Sequence, residues 1–395
     1  MPIVVFVLAV AVFAQGTSEF MVSGLLAPIA VDVGVSLGAA GLLTSLFAAG
    51  MVLGAPVLAM AAGRLPVRHS AASFLAVFCA THVVGALTSD FTVLLMTRVV
   101  AAVANAGFLA VALAALPGLV GPAAVGRATS VVVSGVTVAC IAGVPAGTLL
   151  GQLWGWRAAF VAVAIVSGAA VIPVWAMVPG ALRAGDRPTT QQPPLLREWT
   201  VLGERPVRTA VLAAVLVNAA TFAGFTFLGS ITTRVDEAND RWVPIVLALF
   251  GIGSFAGVTL TGRYSDRHRE RIVTLGTTGL VAVWLLAAST AHTLPGVAVM
   301  ATVSGAVAFG VGSTLITTIV QAASPAAPRI AGAAATTAFN IGAVLGPATA
   351  ALVVGHTGRP AQALWCGAVF AFVAATVVWR TRKPAGSEAV AATVD

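Results

Sequence analysis

The sequence predicts an all-α membrane protein with twelve transmembrane helices in two pseudo-symmetric six-helix halves. Three observations lead to this fold class. Of 395 residues, 59% are hydrophobic and only 9% are charged, whereas a soluble domain carries about 25% charged residues. The chain also contains a series of long apolar runs, and a motif in its first half recurs in its second. With so few polar side chains, most of the chain requires the bilayer as its solvent.

Twelve apolar runs are long enough to cross a bilayer, which takes about 20 mostly apolar residues. They cover residues 3–30, 39–61, 70–88, 91–115, 127–150, 158–178, 207–230, 243–262, 272–290, 295–319, 330–354 and 361–379. The first run has no basic segment before it, which favours a membrane helix over a cleaved signal peptide. We predict an N-terminal half over 1–179, a cytoplasmic linker over 180–206, a C-terminal half over 207–380 and a cytoplasmic tail over 381–395.

An internal repeat relates the two halves. Residues 46–54 read LFAAGMVLG and residues 249–257 read LFGIGSFAG, and the same register places Arg64 on Arg267 and Arg68 on Arg271. One large class of secondary transporters is built from such a parallel repeat of two six-helix halves, with the substrate path between the halves.

The distribution of basic residues predicts the orientation, because cytoplasmic loops carry an excess of Lys and Arg. Placing both termini in the cytoplasm leaves only Arg157, Arg234, Arg241 and Arg359 outside. Sixteen basic residues then lie inside: Arg64, Arg68, Arg127, Arg183, Arg187, Arg197, Arg205, Arg208, Arg263, Arg267, Arg269, Arg271, Arg329, Arg380, Arg382 and Lys383. We therefore expect a multi-pass inner-membrane protein with both termini in the cytoplasm.

Glu19 is the one acid placed well inside a predicted helix. Gln15 and Ser23 lie one turn away on the same face, and such a polar stripe must face away from lipid. Burial disfavours a charged carboxylate, so Glu19 is a candidate to carry a proton or to bind substrate. The alternative is a protonated acid hydrogen-bonded to a neighbouring helix.

Arg98 is the second ionisable residue at membrane depth, and it must be paired or hydrated because it cannot lose its proton. Asn105 follows two turns later on the same helix face. The functional interpretation is a fixed positive charge beside the transport pathway. The alternative is a structural tie to backbone carbonyls.

The seventh predicted helix carries a polar and aromatic stripe of Asn218, Thr221, Phe222 and Phe225. Such a stripe suits a ligand that has a ring and a few polar groups, although ordinary helix packing explains it equally well. Further aromatic candidates for substrate binding are Phe20, Phe108 and Phe309. His82 and His292 are isolated in the sequence and receive no role, and Asp32 and Asp90 fall near outer helix ends, where they are expected to be solvated.

The fifth predicted helix is rich in small residues, with Gly135, Gly143, Pro145, Gly147 and Gly151. Glycines four apart let helices approach closely, and a proline permits a bend. Gly342, Gly346 and Pro347 repeat the pattern more weakly in the eleventh helix. The matched positions suggest contact or hinge elements for a rocking motion of the halves, and simple packing is the alternative.

Several function classes are disfavoured by composition. The net charge of +8 comes from arginines in short loops, not from one surface that could bind nucleic acid. Cys79, Cys140 and Cys366 lie in apolar runs without the spacing of metal ligands. A membrane enzyme would need clustered His, Cys, Asp or Glu at membrane depth. We expect no enzymatic activity, metal or cofactor.

The sequence resembles the twelve-helix drug:proton antiporter branch of the major facilitator superfamily. Residues 143–147, GVPAG, together with Gly135 and Gly151, are similar to the antiporter motif of that branch. Arg98, within LLMTRVV, is similar to the family's helix 4 arginine, which the resemblance implicates in proton transfer. The resemblance implies that the chain is an exporter.

Residues 262–271, GRYSDRHRER, in the predicted loop between helices 8 and 9, resemble the family's gating motif, which ties neighbouring helix ends together in one conformation. The resemblance assigns this role to Gly262, Asp266, Arg267 and Arg271, and to Arg64 and Arg68 in the first half. The first-half copy departs from the pattern, because Gly63 occupies the position expected for aspartate.

Four stretches resemble the chloramphenicol-resistance exporters of this branch: residues 16–21, 104–113, 250–255 and 310–317. The resemblance implies proton-coupled efflux of chloramphenicol by alternating access, with the small-molecule drug, protons and the lipid bilayer as partners and a monomer as the working form. The alternative is an exporter of a sugar, a nucleoside or an endogenous metabolite on the same scaffold.

Overall fold

The computed structural model describes residues 1–61, 66–180, 199–235, 240–327 and 331–381, which are almost entirely helical. Within these ranges, twelve helices are long and apolar enough to span a membrane. The first six are α1 Ile3–Val33, α2 Leu37–Ala61, α3 Val67–Leu87, α4 Phe91–Val120, α5 Val125–Trp154 and α6 Trp156–Met177. The last six are α7 Arg205–Val235, α8 Asp240–Tyr264, α9 Arg267–Thr290, α10 Leu294–Ala323, α11 Ala331–Thr357 and α12 Gln362–Thr381.

The predicted fold class is confirmed, but the connection between α8 and α9 is shorter than the loop predicted over residues 262–271. The two helices are joined through a kink at His268, which has the only non-helical dihedrals among the described residues of Val243–Thr290. The polar backbone on both sides of the kink is helical, and no glycine or proline follows Gly262 until Gly276. The limits predicted for the two halves, the linker and the tail stay predictions, and residues 181–198 lie outside the described ranges.

The repeated motif has the same packing role in both halves. In α2, a Cβ built on Gly50 would lie 2.6 Å from the Val99 carbonyl oxygen of α4. A Cβ on the matching Gly253 of α8 would lie even closer to the Thr302 carbonyl oxygen of α10. Glycine at these positions lets two helix backbones touch, so the repeat encodes equivalent helix pairs.

The apolar core is continuous at one end of the bundle and divided at the other. The largest cluster of buried residues joins both halves and includes Leu26, Phe47, Phe227 and Val354. At the end that holds the termini, a second cluster contains first-half residues only, from Val4 to Val178. A third contains second-half residues only: Val201, Val207, Ala323, Ala327 and Ala331. The halves therefore share a core at one end and have separate cores at the other.

Backbone contacts join the halves at the end that shares a core. A Cβ on Gly229 of α7 would lie 2.5 Å from the Ser23 carbonyl oxygen of α1. Gly38 of α2 packs against Ala351 and Gly355 of α11. These close approaches align α1 with α7 and α2 with α11, which places the middle of α1 at the interface between the halves.

Two acids at this end are held by neighbouring groups. Asp32 is exposed, as expected, and it is also ion-paired with Arg157 and accepts a hydrogen bond from Trp156 Nε1 at 3.1 Å. Asp90 caps α4 by accepting a hydrogen bond from the Val93 amide at 3.0 Å. Both contacts fix helix ends in the first half.

Candidate functional site

The glycines of α5 form a row against which α1 packs. A Cβ on Gly135 would lie 2.5 Å from the Ala9 carbonyl oxygen, and one on Gly147 would lie 3.3 Å from Met21. Gly143 and Gly151 are in equally direct contact with Thr17 and Leu25. The contacts recur at every turn of α1, so the glycine motif sets the position of the segment that contains Glu19.

A π-helical turn interrupts α5 at Ala139–Gly143. It ends two residues before Pro145, which has no amide hydrogen and cannot continue the normal helical ladder. Single π turns of this kind are frequent at functional sites. This turn meets the second half, because a Cβ on Gly251 of α8 would lie 2.5 Å from the Cys140 carbonyl oxygen.

Arg98 is 1% exposed and is held against α1 by a single residue. Its Nη1 donates a 2.8 Å hydrogen bond to Ser18 Oγ, and its Nη2 donates a 2.9 Å bond to the Ser18 carbonyl oxygen. The guanidinium carbon lies 4.3 Å from the centre of the Phe47 ring. Hydrogen bonds and a cation–π contact thus compensate the buried charge.

His82 extends this network into α3, so the expectation that it is isolated is wrong. Its Nε2 lies 2.6 Å from Ser18 Oγ and its Nδ1 lies 2.7 Å from the Phe78 carbonyl oxygen. A carbonyl can only accept, so Nδ1 carries the hydrogen, and the Nε2 of a neutral imidazole accepts from the Ser18 hydroxyl. No spacing in the sequence links residues 18, 82 and 98.

Glu19 directly follows Ser18 and is only partly buried. Within the described chain its carboxyl group forms no hydrogen bond, but the charge of Arg98 acts on it electrostatically. The Cys140 thiol of the π turn also interacts with it. The structure thus brings the two membrane-depth ionisable residues into one site without a direct ion pair.

Gln15, one turn before Glu19, is 1% exposed, and neither atom of its amide group has a hydrogen-bond partner among the described residues. Thr17 Oγ1 is also buried and without a partner. Buried amides in native proteins are normally satisfied, so an orphaned one indicates a place for water or a ligand.

An apolar cavity lies beside this segment at the interface between the halves. It has about 270 Å³ of empty space and is lined by Phe20, Cys140, Thr221, Phe222, Phe225, Phe250 and Phe309. The Phe20 ring centre is 5.9 Å from that of Phe222 and 6.1 Å from that of Phe225. The structure therefore brings four predicted aromatic residues to one cavity.

A second cavity of about 340 Å³ lies within the second half and includes Phe225, Phe250, Trp284 and Ser304 in its lining. Phe225 and Phe250 line both cavities, with their ring centres 4.6 Å apart. This aromatic pair forms the wall between the two cavities.

Of the other candidate residues on α4 and α7, Thr221 lines the aromatic cavity and the rest do not. Asn218 donates a 2.6 Å hydrogen bond to the Phe339 carbonyl oxygen and so ties α7 to α11. Phe108 is fully buried in the first-half core. Asn105 is 5% exposed on α4, and Thr221 donates to the Val217 carbonyl oxygen of its own helix while lining the aromatic cavity.

The predicted gating residues are only partly described. Arg64 and the side chain of Asp266 lie outside the described part of the structure, whereas Gly262, Arg267 and Arg271 lie in the helical backbone on either side of the kink at His268, with both arginines exposed. Arg68 donates a 2.9 Å hydrogen bond to the Val178 carbonyl oxygen and ties α3 to the end of α6.

In the described part of the chain, twelve helices are long and apolar enough to span a membrane and a polar and aromatic site lies between the two halves, which is the architecture of a multi-pass membrane transporter. The family model of the Major Facilitator Superfamily matches residues 8–338 and 243–395. A chloramphenicol resistance protein of Streptomyces lividans is 45% identical over 97% of each chain. The chain therefore belongs to the Major Facilitator Superfamily.

Further matches agree with this family. The inner membrane transport protein YdhP of Escherichia coli K12 is 29% identical over 95% of each chain. A bacterial homologue of the human lysosomal transporter Spinster, solved in an inward-facing and unoccupied conformation, has a TM-score of 0.76 at 18% identity, covering 97% of this chain and 98% of that one. The nucleoside transporter NupG has a TM-score of 0.74 at 12% identity, covering 96% and 98%. These family and structural neighbours are transporters.

Proposed function

We propose that the chain exports chloramphenicol across the inner membrane in exchange for protons. The observation that carries the proposal is an aromatic cavity at the interface between the halves, lined by Phe20, the residue that follows the membrane-depth acid Glu19. The name of the 45% identical Streptomyces lividans protein supports the same substrate. Relatives at this identity and coverage share a fold, so the substrate itself needs a direct test.

The cavity chemistry favours an aromatic drug over a sugar or a nucleoside. Five of the seven lining residues are phenylalanines, which offer ring faces and few hydrogen bonds. A sugar requires several hydrogen-bond partners, because every buried hydroxyl left unpaired weakens binding. Chloramphenicol has an aromatic ring that can pack against these ring faces.

Alternating access connects the site with the proton. The separate cores lie at the end that holds the termini, which the arginine distribution assigns to the cytoplasm. In this orientation the conformation is open inward, so the drug enters from the cytoplasm and Glu19 loses its proton there. The halves then rock, the drug leaves outside, and Glu19 is protonated again before the return. Arg98 supplies a constant positive charge, which favours the charged form of the Glu19 carboxyl group after its proton has left.

The test is drug accumulation in a susceptible bacterium. Cells that express the wild-type chain should accumulate less chloramphenicol than control cells, and a protonophore should abolish the difference. Glu19→Gln, which keeps the size but cannot exchange a proton, should lose active export at equal expression. Unchanged accumulation with a well-expressed wild type would refute the substrate assignment. Export that resists the protonophore would refute the proton coupling.

A further inference from the structure

The hydrogen-bond network around Ser18 contains a buried histidine that this transport cycle does not use. We propose that His82 is a positioning residue: through the Ser18 hydroxyl it holds the Arg98 guanidinium in place beside Glu19. The role of His82 in transport rests on the proposed function. The effect of the Arg98 position on Glu19 does not, because it concerns the geometry of the site alone. The three polar side chains of the network come from α1, α3 and α4, and each is at most 1% exposed.

The direction of each hydrogen bond explains why an imidazole is needed. Arg98 can only donate, and the Phe78 carbonyl can only accept. Ser18 must therefore accept from Arg98 and donate onward to His82, which accepts at Nε2 and donates at Nδ1. The hydroxyl hydrogen of Ser18 and the Nδ1 hydrogen of His82 each then have an acceptor. The neutral imidazole is the one group in it that accepts on one side and donates on the other through a rigid ring.

Packing fixes the imidazole in this role. Its ring centre lies 4.3 Å from that of Phe78 and 5.7 Å from that of Phe160. A second positive charge in this apolar setting, next to Arg98, would be costly, so the ring stays neutral and keeps Nε2 free to accept. Without that acceptor, the Ser18 hydroxyl would turn to a carbonyl of its own helix. The Ser18 oxygen would then no longer accept the hydrogen bond from Arg98 Nη1.

The consequence concerns Glu19, the residue after Ser18. The ionisable side chains that the described elements bring to this site are Glu19 from α1, His82 from α3, Arg98 from α4 and the Cys140 thiol from α5. Among them, Arg98 is the one fixed positive charge. The position of the guanidinium therefore sets how strongly the carboxylate is favoured, and His82 controls that position although it makes no contact with Glu19.

The matched variants are His82→Gln and His82→Met. The two side chains have the same length, but only glutamine has an acceptor oxygen near the position of Nε2. Ser18→Ala removes the bridging hydroxyl itself. The readout is labelling of Glu19 by dicyclohexylcarbodiimide across a pH series on the full-length protein in lipid, because this reagent modifies protonated carboxyl groups in apolar surroundings. Glu19→Gln gives the background from other acids.

We expect labelling of His82→Met and Ser18→Ala to persist to a pH about one unit higher than in the wild type, the lower end of the effect of a nearby opposite charge. His82→Gln should stay close to the wild type. The double variant of His82→Met and Ser18→Ala should shift no further than either single variant, because both act through one network. In transport assays, His82→Met should lower the maximal rate about tenfold or more and leave KM within about threefold, since His82 does not line the aromatic cavity.

Labelling needs no substrate, so the result separates this inference from the proposed function. A wild type that labels at Glu19 but does not transport chloramphenicol would refute the substrate and leave the positioning role to be decided by the pH midpoints. Equal midpoints in wild type and His82→Met would overturn the inference, as would equal shifts in the Gln and Met variants. Labelling of Glu19 that does not depend on pH would overturn it as well.

Discussion

Gly251 of α8 lies directly on the backbone of Cys140 in α5, so close that a Cβ at residue 251 would be 2.5 Å from the Cys140 carbonyl oxygen. The two residues belong to different halves, and Cys140 is part of the π turn of α5. Only a hydrogen atom fits between the helices at this point. A substitution at this contact should therefore disturb the packing of one half against the other.

Gly251→Ala should shift the conformational equilibrium away from the state described here. An added methyl group in a packed interface costs about 1–3 kcal/mol, which corresponds to about fivefold or more in an equilibrium constant. Spin labels at Ser36 and Arg359, both exposed at the end that shares a core, should report a larger population with a long separation. The measurement uses a background without native cysteines.

Gly279→Ala is the matched control, because a Cβ at Gly279 of α9 would have no neighbouring atom within 4 Å. This variant should give the wild-type distance distribution. A Gly251→Ala protein with the same distribution as Gly279→Ala would show that the α5–α8 contact does not limit the motion of the halves.

Arg98→Lys should lower export about tenfold or more although it keeps the positive charge. Arginine places two nitrogens on Ser18 Oγ and the Ser18 carbonyl oxygen while stacking on Phe47. A lysine ammonium is a single point charge that cannot reproduce this geometry. The comparison is with Arg127→Lys, where the side chain is exposed and export should be unchanged. Wild-type export by Arg98→Lys would mean that charge alone is sufficient.

Phe225→Ala should weaken drug binding more than it slows transport. Phe225 contacts Phe20, Phe222 and Phe250 and lines both apolar cavities. Losing a buried aromatic contact removes about 1.5–3 kcal/mol, so KM for chloramphenicol should rise about tenfold or more. Phe372→Ala, with a side chain that is 63% exposed on α12, should leave KM unchanged. If both variants keep the wild-type KM, the cavity is not the drug site.

We expect the Asp90 carboxyl group to make a pH-dependent contribution to the stability of the folded protein. Hydrogen bonds from the backbone amides of Val93 and Thr92 lower the pKa of the Asp90 carboxyl group. A carboxyl group whose pKa is lowered by folding stabilises the folded state at pH values above the usual pKa of an aspartate. This stabilisation is lost as the pH falls through the folded-state pKa. Asp90→Ala should therefore lower the Tm at pH 7 and approach the wild-type Tm in strong acid. Asp90→Asn, which still caps α4, should lie near the wild type at pH 7. A Tm difference between wild type and Asp90→Ala that does not change with pH would contradict this account.

The number and class of the helices follow from the sequence because a bilayer imposes a minimum length of apolar chain. The connection between α8 and α9 does not follow, since residues 262–271 are polar and yet helical on both sides of a kink at His268. The rotation of each helix is equally hard to predict. α1 is apolar on nearly every side, so its periodicity does not tell which face meets α4 and which meets α7.

The same limit explains the site. Glu19 and Arg98 were identifiable because charge is rare at membrane depth. His82 was missed because its partners, Ser18 and Arg98, are close to it only after three helices have packed. Asn218 was identifiable as a buried polar residue, but only the structure reveals its hydrogen bond with Phe339 of α11.

The network from Arg98 through Ser18 to His82 ends in a donor-only group on one side and in a carbonyl that only accepts on the other. A hydrogen-bonded chain conducts protons only if each member can both receive and release one. Arginine cannot release its proton and the Phe78 carbonyl cannot receive one for onward transfer. The network therefore cannot conduct protons. It lies next to Glu19 in the first half without providing a path for protons across the membrane.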